Sequence, residues 1–345
     1  MSAPAAGRYM VGSHALVIGG TRFIGRHTVA ELLAHDYEVT LFNRGQSDNP
    51  FADDDRVDHV AVDRTDDADL LDAADVDPDV VIDSYAYFPR GVRTALRVFD
   101  DVDAYVYLSS GAAYETEDER IPKREDETPL HPCTSEQEVD ESWDSYGPRK
   151  AEGDRAVFEA AAERGVRAMS VRPPIVYGPH DYTGRFDYWV ERVTEYDRVL
   201  VPGDGSNLRH LVYVEDVASA LRTVAEEGEA GEAYNVGDRH LPTIDEWVDR
   251  IADAAGTEVE VVHASERELS TAGLSLTDFP LYRPYPHVLS TSKLAALGWD
   301  ATPHEEAIGA TVDHVHEADR SGADDRDEAP SREEEERVLG ILDTL

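Results

Sequence analysis

Tyr146 and Lys150, in the segment YGPRK, are spaced and chemically suited for acid–base catalysis. At the start of a helix, a spacing of four places both side chains on one face. A free tyrosine, with a pKa of about 10, is a poor base at neutral pH, but a nearby ammonium group stabilises its phenolate. Lysine is scarce in this chain, with only Lys123, Lys150 and Lys293, so a lysine in such a motif carries weight. We therefore predict that Tyr146 and Lys150 form a catalytic pair.

A predicted strand that ends in small polar residues precedes this pair, in the segment YVYLSSGAAY at 105–114. A serine hydroxyl at the end of that strand is suited to bind the same substrate oxygen and to stabilise charge that develops on it. The alternative is that the two serines only terminate the strand. Because Tyr146 and Lys150 follow, we favour a role in the reaction.

A glycine-rich turn, GGTRFIG at 19–25, joins the first predicted strand to the first predicted helix. Glycine at 19 permits a tight turn, and glycine at 25 allows the helix to pack close to the strand. Backbone amides and the helix dipole at such a point suit a pyrophosphate. The residues that we expect to contact a nicotinamide dinucleotide here are Gly19, Thr21, Arg22, Phe23, Ile24 and Gly25.

Two arginines bear on the choice between NAD and NADP. Arg22 occupies a position where a glycine usually lets the backbone approach the phosphates. Asn43 and Arg44 end the second predicted strand, where NAD-preferring proteins place an acid for the ribose 2′-hydroxyl. An arginine attracts a 2′-phosphate instead. We predict NAD(P) as the cofactor, with NADP favoured; the alternative is that both arginines are exposed surface residues.

Apolar runs that alternate with helical patterns predict βαβ units, and hence an α/β fold with a doubly wound, Rossmann-like parallel sheet. The predicted strands cover 14–18, 38–42, 57–62, 80–82, 105–109 and 168–172, with helices at 23–34 and 151–164. We predict a dinucleotide-binding domain over 1–172, to which 210–237 returns, and an interleaved smaller substrate region over 173–209 and 238–316. We also predict an acidic, flexible tail over 317–345, in which 337–342 is the one segment suited to a short amphipathic helix.

Composition limits the partners of the protein. The chain has 73 acidic and 32 basic residues, a net charge of -41, spread along its 345 residues. This indicates a solvated surface suited to a high-salt cytoplasm, a basic partner being the alternative. Nucleic acid is disfavoured because no basic stripe exists. The one cysteine, Cys133, excludes a cysteine-cluster metal site, and we predict no metal. Neither a membrane span nor a signal peptide is recognisable, so we expect a cytoplasmic protein.

Several motifs occur in an order that resembles the NAD-dependent epimerase/dehydratase family, the extended short-chain dehydrogenase/reductases. They are GGTRFIG, NRG, LSSGAAY, YGPRK, RPPIVYGP, GDGSNLR, VEDVA and LGW, and they span about residues 13–315. GGTRFIG and NRG also resemble a branch that includes the chloroplast stem-loop-binding RNA proteins.

The resemblance implies roles for individual residues. Ser110 is implied as the catalytic hydroxyl, with Tyr146 as acid/base and Lys150 as its partner. Asp63 is implied to contact the adenine, and Pro173 to begin a stretch that lines the nicotinamide side. The residues implied for the substrate are Tyr177, at the end of that stretch, Arg209, which would bind a nucleotide-sugar phosphate, and Arg283 as a second arginine.

We predict reversible hydride transfer at a hydroxyl-bearing carbon of a nucleotide sugar, in an epimerase. The family's dehydratases carry an Asp-Glu pair directly after the catalytic hydroxyl; Gly111 and Ala112 stand there, which disfavours a 4,6-dehydratase. Two alternatives stay open: an NADP-dependent reductase or dehydrogenase of a small carbonyl compound, and a cofactor-sensing or RNA-binding protein without turnover. By analogy with the fold alone, a homodimer is also expected.

Overall fold

The computed structural model describes residues 12–115, 120–317 and 329–344. The chain divides into two compact units. The first unit contains Met1–Val176, Val214–Gly237 and Leu289–Ala301, and the second contains Tyr177–Tyr213, Asp238–Val288 and Thr302–Leu345. No local pattern indicated that 289–301 belongs with the dinucleotide-binding part. This segment is held there because the amide of Ser290 donates to the carbonyl oxygen of Lys123 at 2.8 Å.

Strands and helices alternate through much of the described chain, and its last part, after β11, is helical. The strands are β1 (His14–Ile18), β2 (Glu38–Asn43), β3 (Val57–Ala61), β4 (Val80–Asp83), β5 (Ala104–Leu108), β6 (Ala168–Arg172), β7 (Ile175–Tyr177), β8 (Arg198–Pro202), β9 (Leu211–Tyr213), β10 (Ala233–Asn235) and β11 (Glu260–Ala264). The helices are α1 (Phe23–Ala34), α2 (Asp67–Asp72), α3 (Pro89–Val98), α4 (Tyr146–Arg164), α5 (Arg185–Glu195), α6 (Val214–Glu227), α7 (Ile244–Ala255), α8 (Glu266–Leu269), α9 (Ser292–Ala295), α10 (His304–Glu317) and α11 (Arg332–Leu342). None of the helices in the described ranges is both long and apolar enough to cross a membrane.

The first unit is built on a seven-stranded sheet in the order β10-β6-β5-β4-β1-β2-β3. Every neighbouring pair is parallel. The central strands β4 and β5 are buried along their whole length, as expected when helices cover both faces of a parallel sheet. The predicted fold class is thereby confirmed. Since the strands run in one direction, their carboxyl ends meet at one edge, and this edge carries the candidate site.

Helices cover the two faces of this sheet. Side chains along a strand alternate between its faces. Leu16 of β1 lies in one apolar cluster with Val92 of α3, whereas Val17 lies with Val29 of α1 beside Gly20. Helix α3 packs on α4, and α1 packs on α6. The sheet is therefore wound on both sides, and its long helices fix the strand ends on which the site is built.

The second unit contains a two-stranded parallel sheet, β8 with β11, and the packed helices α5, α7 and α10. Its core is aromatic: the ring of Tyr177 stacks on Phe186 at 4.7 Å and contacts Trp247 at 5.5 Å between centroids. Helix α7 begins with a capping box, in which Thr243 and Glu246 satisfy each other's backbone amides.

The C-terminal segment differs from the flexible tail predicted over 317–345. Residues 318–328 and 345 lie outside the described residues, but Arg332–Leu342 forms helix α11, which begins five residues before the short helical segment expected at 337–342. Its Glu335 is fully buried. The carboxylate accepts hydrogen bonds from the Tyr188 hydroxyl at 2.6 Å and from Arg192 Nε at 2.7 Å, which replace its contacts with water. Partners from distant parts of the chain therefore order a sequence whose composition alone is typical of a solvated tail.

Candidate functional site

A glycine cradle lies between β1 and α1. Gly19 and Gly20 have φ values of +114° and +95°, which other residues adopt only under strain. A Cβ atom on Gly25 would lie 2.6 Å from the backbone nitrogen of Gly20, so the helix approaches the turn more closely than any side chain permits. In the described part of the chain no side chain caps the start of α1, and its first turn holds no acid. The start of this helix therefore suits a pyrophosphate.

The residues between the glycines shape this turn. Phe23 is buried at the first position of α1 with a φ of +35°, a strained conformation for a residue with a side chain. Thr21 and Ile24 are half-buried, and Arg22 is exposed. The structure therefore places all four residues beside the cradle, with Arg22 on the solvent side.

The ends of β2 and β3 bring Asn43, Arg44 and Asp63 to the same edge. Asn43 supports the cradle, because its Nδ2 donates to the carbonyl oxygen of Gly19 at 3.1 Å. Arg44 is exposed. Bonds from the hydroxyl and amide of Thr65 lower the pKa of Asp63, and the charge of Arg44 contributes to the same shift. Arg44 therefore lies close enough to Asp63 for their charges to interact, next to the loop that would hold the dinucleotide.

Lys150 projects from α4 to the carboxyl ends of β4 and β5. Its Nζ donates to the carbonyl oxygens of Ala86 at 2.9 Å and Leu108 at 2.8 Å. Burial lowers the pKa of Lys150 to about 8, while the charges of Asp83 and Asp154 oppose that shift. The ammonium group is thus fixed by two backbone oxygens at the sheet edge where ligands bind in this class of fold.

Tyr146 is the first residue of α4 and is half-buried. Lys150 Nζ lies 5.8 Å from the centroid of its ring, within the range over which an ammonium group is attracted to an aromatic face. One helix carries both residues, so their separation is set by backbone geometry. The structure thus brings this pair together, in the arrangement that would stabilise a phenolate.

The two serines at the end of β5 have different environments. Ser109 is buried, whereas Ser110 is half-buried and precedes a short 3-10 turn at Gly111–Ala113. The Ser110 Oγ accepts a hydrogen bond from the amide of Ala112 at 3.1 Å. Ser110 is consequently the serine whose hydroxyl is fixed at the accessible end of the strand.

Two contacts hold the turn after Ser110 in place, one with the segment after β6 and one with α4. The amide of Gly111 donates to the carbonyl oxygen of Pro173 at 2.7 Å. A Cβ atom on Gly147 would lie 2.5 Å from the carbonyl oxygen of Ala112, so the turn packs directly on the first turn of α4. Pro173 is buried and supports the turn through its backbone.

Buried ion pairs beneath the site were missed from the sequence. Asp83, at the end of β4, is bonded to both terminal nitrogens of Arg64 and accepts from the Tyr105 hydroxyl at 2.7 Å. Asp154 of α4 pairs with Arg172 Nε at 2.8 Å. These two carboxylates are the ones that sustain the charge of Lys150. One signal was available, because Asp154 lies four residues after Lys150 on a predicted helix.

Arg209 of the second unit is a buried cation. Only 5% of its surface is exposed, and its Nε has no hydrogen-bond partner among the described residues. Within the described ranges no carboxylate forms an ion pair with it. Burial, together with the like charge of Arg185, lowers its pKa to about 10. Buried charges are normally paired, so this guanidinium suits an anionic ligand.

The two other predicted substrate residues have different outcomes. Arg283 is half-buried and is held to the loop before Arg209, because its backbone amide and carbonyl group both bond to the side chain of Asn207. Tyr177 is fully buried among the aromatic rings of the second unit. The structure therefore contradicts its expected contact with a substrate, because ring packing leaves none of its surface accessible.

Comparison with known proteins gives a consistent picture. The model of the NAD dependent epimerase/dehydratase family matches residues 15–237. Among curated proteins, the chloroplast stem-loop binding protein of 41 kDa b from Arabidopsis thaliana is 27% identical over an alignment of 304 residues, and the match covers 82% of this chain and 74% of that protein. The low-salt glycan biosynthesis protein Agl12 of Haloferax volcanii is 26% identical, and the match covers 87% of this chain and 97% of that protein.

Among solved structures, the UDP-glucose 4-epimerase of Thermus thermophilus in complex with NAD is similar to this chain with a TM-score of 0.66 and 26% identity. The match covers 88% of this chain and 99% of the epimerase. The similarity extends over both compact units.

Proposed function

The chain belongs to the NAD dependent epimerase/dehydratase family, as its ordered motifs indicated, and it is an enzyme of that family. From this premise we propose that it epimerises a nucleotide sugar by oxidising one hydroxyl-bearing carbon and reducing it from the opposite face. The observation that carries this proposal is the pair Tyr146 and Lys150, fixed on α4 beside the Ser110 turn.

The chain's own residues account for the proton movements. Tyr146, as phenolate, removes the proton of the substrate hydroxyl while the carbon–hydrogen bond breaks and a carbonyl group forms. Lys150 stabilises the phenolate, and the hydroxyl of Ser110 holds the substrate oxygen. When bound in the glycine cradle, a nicotinamide dinucleotide supplies the redox chemistry. Epimerisation then requires the keto sugar to rotate before Tyr146 returns the proton.

Arg209 supports a nucleotide sugar as the substrate. A buried guanidinium without a carboxylate partner in the described part of the chain is suited to a diphosphate, which it can bind through two parallel hydrogen bonds. Arg283, held to the same loop by Asn207, is the second candidate for this role. The Thermus relative is named for UDP-glucose, which carries the same diphosphate group.

Two other activities found among the relatives fit less well. Gly111 and Ala112 follow Ser110, so the acids that a 4,6-dehydratase uses to eliminate water are missing at those positions. The Arabidopsis relative is named for binding stem-loops, but a net charge of -41 opposes binding to a phosphate backbone.

An NADP-dependent reductase is the second candidate, and the exposed Arg44 favours it. A cation at the end of β2 attracts a 2′-phosphate, and Arg22 is exposed beside the same loop. Asp63 is the residue proposed to contact the adenine, and the charge of Arg44 helps to lower its pKa. A preference for NADP would fit a reductase, whose cofactor must dissociate after each reaction cycle.

For either activity we propose a cytoplasmic homodimer. Light scattering of the purified protein tests whether it is a dimer.

One experiment distinguishes these functions. Protein purified in molar potassium chloride is denatured to release and identify any bound nucleotide, and the nucleotide-free protein is titrated with NAD and NADP. It is then incubated with UDP-glucose, and the Tyr146→Phe variant is the control. Retained NAD together with a C4-inverted product supports the epimerase. An empty site that prefers NADP, with no inverted product, supports the reductase instead.

A further inference from the structure

Four aromatic side chains of the first unit form a continuous row that contains Tyr146. Ring centroids are 5.1 Å apart for Tyr85 and Tyr87, 6.3 Å for Tyr87 and Tyr146, and 5.4 Å for Tyr146 and Trp143. Each distance lies in the usual range for interacting aromatic pairs. The two ends of the row are open to solvent, since Tyr85 is 49% and Trp143 is 74% exposed.

The row runs from the glycine cradle past the catalytic pair. A Cβ atom on Gly19 would lie 3.5 Å from the Cβ atom of Tyr85, which places that end of the row against the cradle. Lys150 Nζ lies 5.6 Å from the centroid of the next ring, Tyr87. Trp143 therefore stands at the other end, beyond the phenol that exchanges a proton with the substrate. The part of a ligand that meets Trp143 is consequently the part near the reacting carbon.

Trp143 is held in a turn fixed by one carboxylate. Asp140 accepts hydrogen bonds from the amide of Ser142 at 3.1 Å, from the hydroxyl of Ser142 and from the hydroxyl of Ser145. These bonds lower the pKa of Asp140 to about 2, so it remains an acceptor at neutral pH. The turn also receives a bond from Arg149 to the carbonyl oxygen of Ser142. The backbone that carries Trp143 is thus ordered before any ligand arrives, which reduces the entropy lost on binding.

The exposure of Trp143 sets it apart from the other tryptophans, all of which the structure describes. Trp189 and Trp247 are each 1% exposed and Trp299 is 5% exposed. The surface of this chain is rich in carboxylates, and Trp143 adds little to the core because most of its ring is exposed. Folding therefore does not explain why a large apolar ring lies beside the catalytic phenol. Covering such a ring on binding is favourable, and aromatic side chains dominate many binding sites for this reason.

We propose that Trp143 is a substrate-binding residue that stacks on the glycosyl ring of the nucleotide sugar. One face of a pyranose presents carbon-bound hydrogens, which match the electron-rich face of an indole. The sugar carries the reacting hydroxyl, so it is also the moiety that must lie beside Tyr146. This assignment deepens the proposed function and rests on it. It assigns recognition of the sugar to the first unit, on the same short segment that supplies the acid/base.

Tryptophan fluorescence tests the proposal directly. Because three tryptophans are buried, acrylamide should quench mainly Trp143, and the Trp143→Phe variant identifies that contribution. The protein, in molar salt, is titrated with UDP-glucose and separately with UDP, and calorimetry measures binding of each. We expect UDP-glucose to protect the accessible fluorescence from acrylamide, whereas UDP binds and leaves it accessible.

Variants provide a second measurement. Trp143→Ala should raise the KM or Kd for UDP-glucose by about tenfold or more and leave the Kd for UDP within about twofold. Val139→Ala is the matched control, since Val139 is also 74% exposed and lies in the preceding segment. It should change neither constant.

The outcomes separate the two proposals. If UDP-glucose produces no heat of binding and no turnover, the nucleotide-sugar function itself is refuted. If UDP-glucose binds but Trp143 stays fully quenchable, only the stacking on the sugar is refuted. Equal protection by UDP would also overturn it, because the nucleotide rather than the sugar would then cover the indole.

Discussion

Replacing Arg209 with methionine should weaken nucleotide binding and stabilise the fold at the same time. Burial lowers the pKa of Arg209 from 12.5 to about 10. At about 1.4 kcal/mol per pKa unit, keeping this charge in the folded protein costs on the order of 3 kcal/mol. Between pH 7 and 8 the group is charged in both the folded and unfolded states, so the full cost applies. Methionine removes the charge, and we expect the free energy of unfolding to rise by about 1–3 kcal/mol.

The assay combines denaturation and calorimetry. Urea unfolding in molar potassium chloride compares the stability of the ligand-free proteins, and titration with UDP compares their affinity. Loss of a buried charge pair with phosphate should weaken UDP binding by about 30-fold or more. Arg192→Met is the matched control: it is also a buried arginine of the second unit, but its Nε is bonded to Glu335 at 2.7 Å. That variant should be destabilised by about 3–5 kcal/mol.

The opposite signs of these two changes make the reasoning refutable. If Arg209→Met lost as much stability as Arg192→Met, Arg209 would have a structural partner and no need of a ligand. If the variant bound UDP as tightly as the parent protein, the assignment of Arg209 to the diphosphate would be wrong.

Three further changes test the cofactor and catalytic residues. Lys150, with its pKa lowered to about 8, is charged below that pH and neutral above it, so kcat/KM should fall above about pH 8. Lys150→Arg should move that fall to higher pH; a flat profile to pH 10 in the parent protein would contradict this role. Gly25→Ala places a Cβ atom 2.6 Å from the backbone nitrogen of Gly20, so the free energy of unfolding should drop by about 1–3 kcal/mol. Calorimetry should also show weaker binding of NAD, and an unchanged affinity would count against the cradle. Arg44→Asp should shift the ratio of NADP to NAD affinity towards NAD, and an unaltered ratio would remove Arg44 from cofactor selection.

Local pattern predicted the sheet well, because each strand of a buried parallel sheet is a short apolar run. The segments 14–18 and 168–172 match β1 and β6 residue for residue, and 57–62 exceeds β3 by one residue. The catalytic pair was equally accessible to prediction, since a spacing of four on a helix fixes the geometry before tertiary structure is known.

Contacts between distant residues set the limits of prediction. Glu335 is ordered by Tyr188 and Arg192, which lie more than a hundred positions earlier, so composition indicated a flexible segment at 332–336, where the first part of helix α11 lies. Tyr177 lies within the motif RPPIVYGP, but the rings that bury it come from other elements. The pairing of Asp83 with Arg64 likewise depends on how strand ends meet, which no local pattern specifies.

The central claim is that Tyr146 and Lys150 carry out reversible oxidation at one carbon of a nucleotide sugar. The most direct measurement is the turnover of UDP-glucose in deuterated water, with the product analysed by NMR. We expect inversion at C4 without solvent deuterium at that carbon, and no inversion by Tyr146→Phe although the variant still binds NAD. Deuterium at the inverted carbon, or turnover by the variant at the parent rate, would contradict the account.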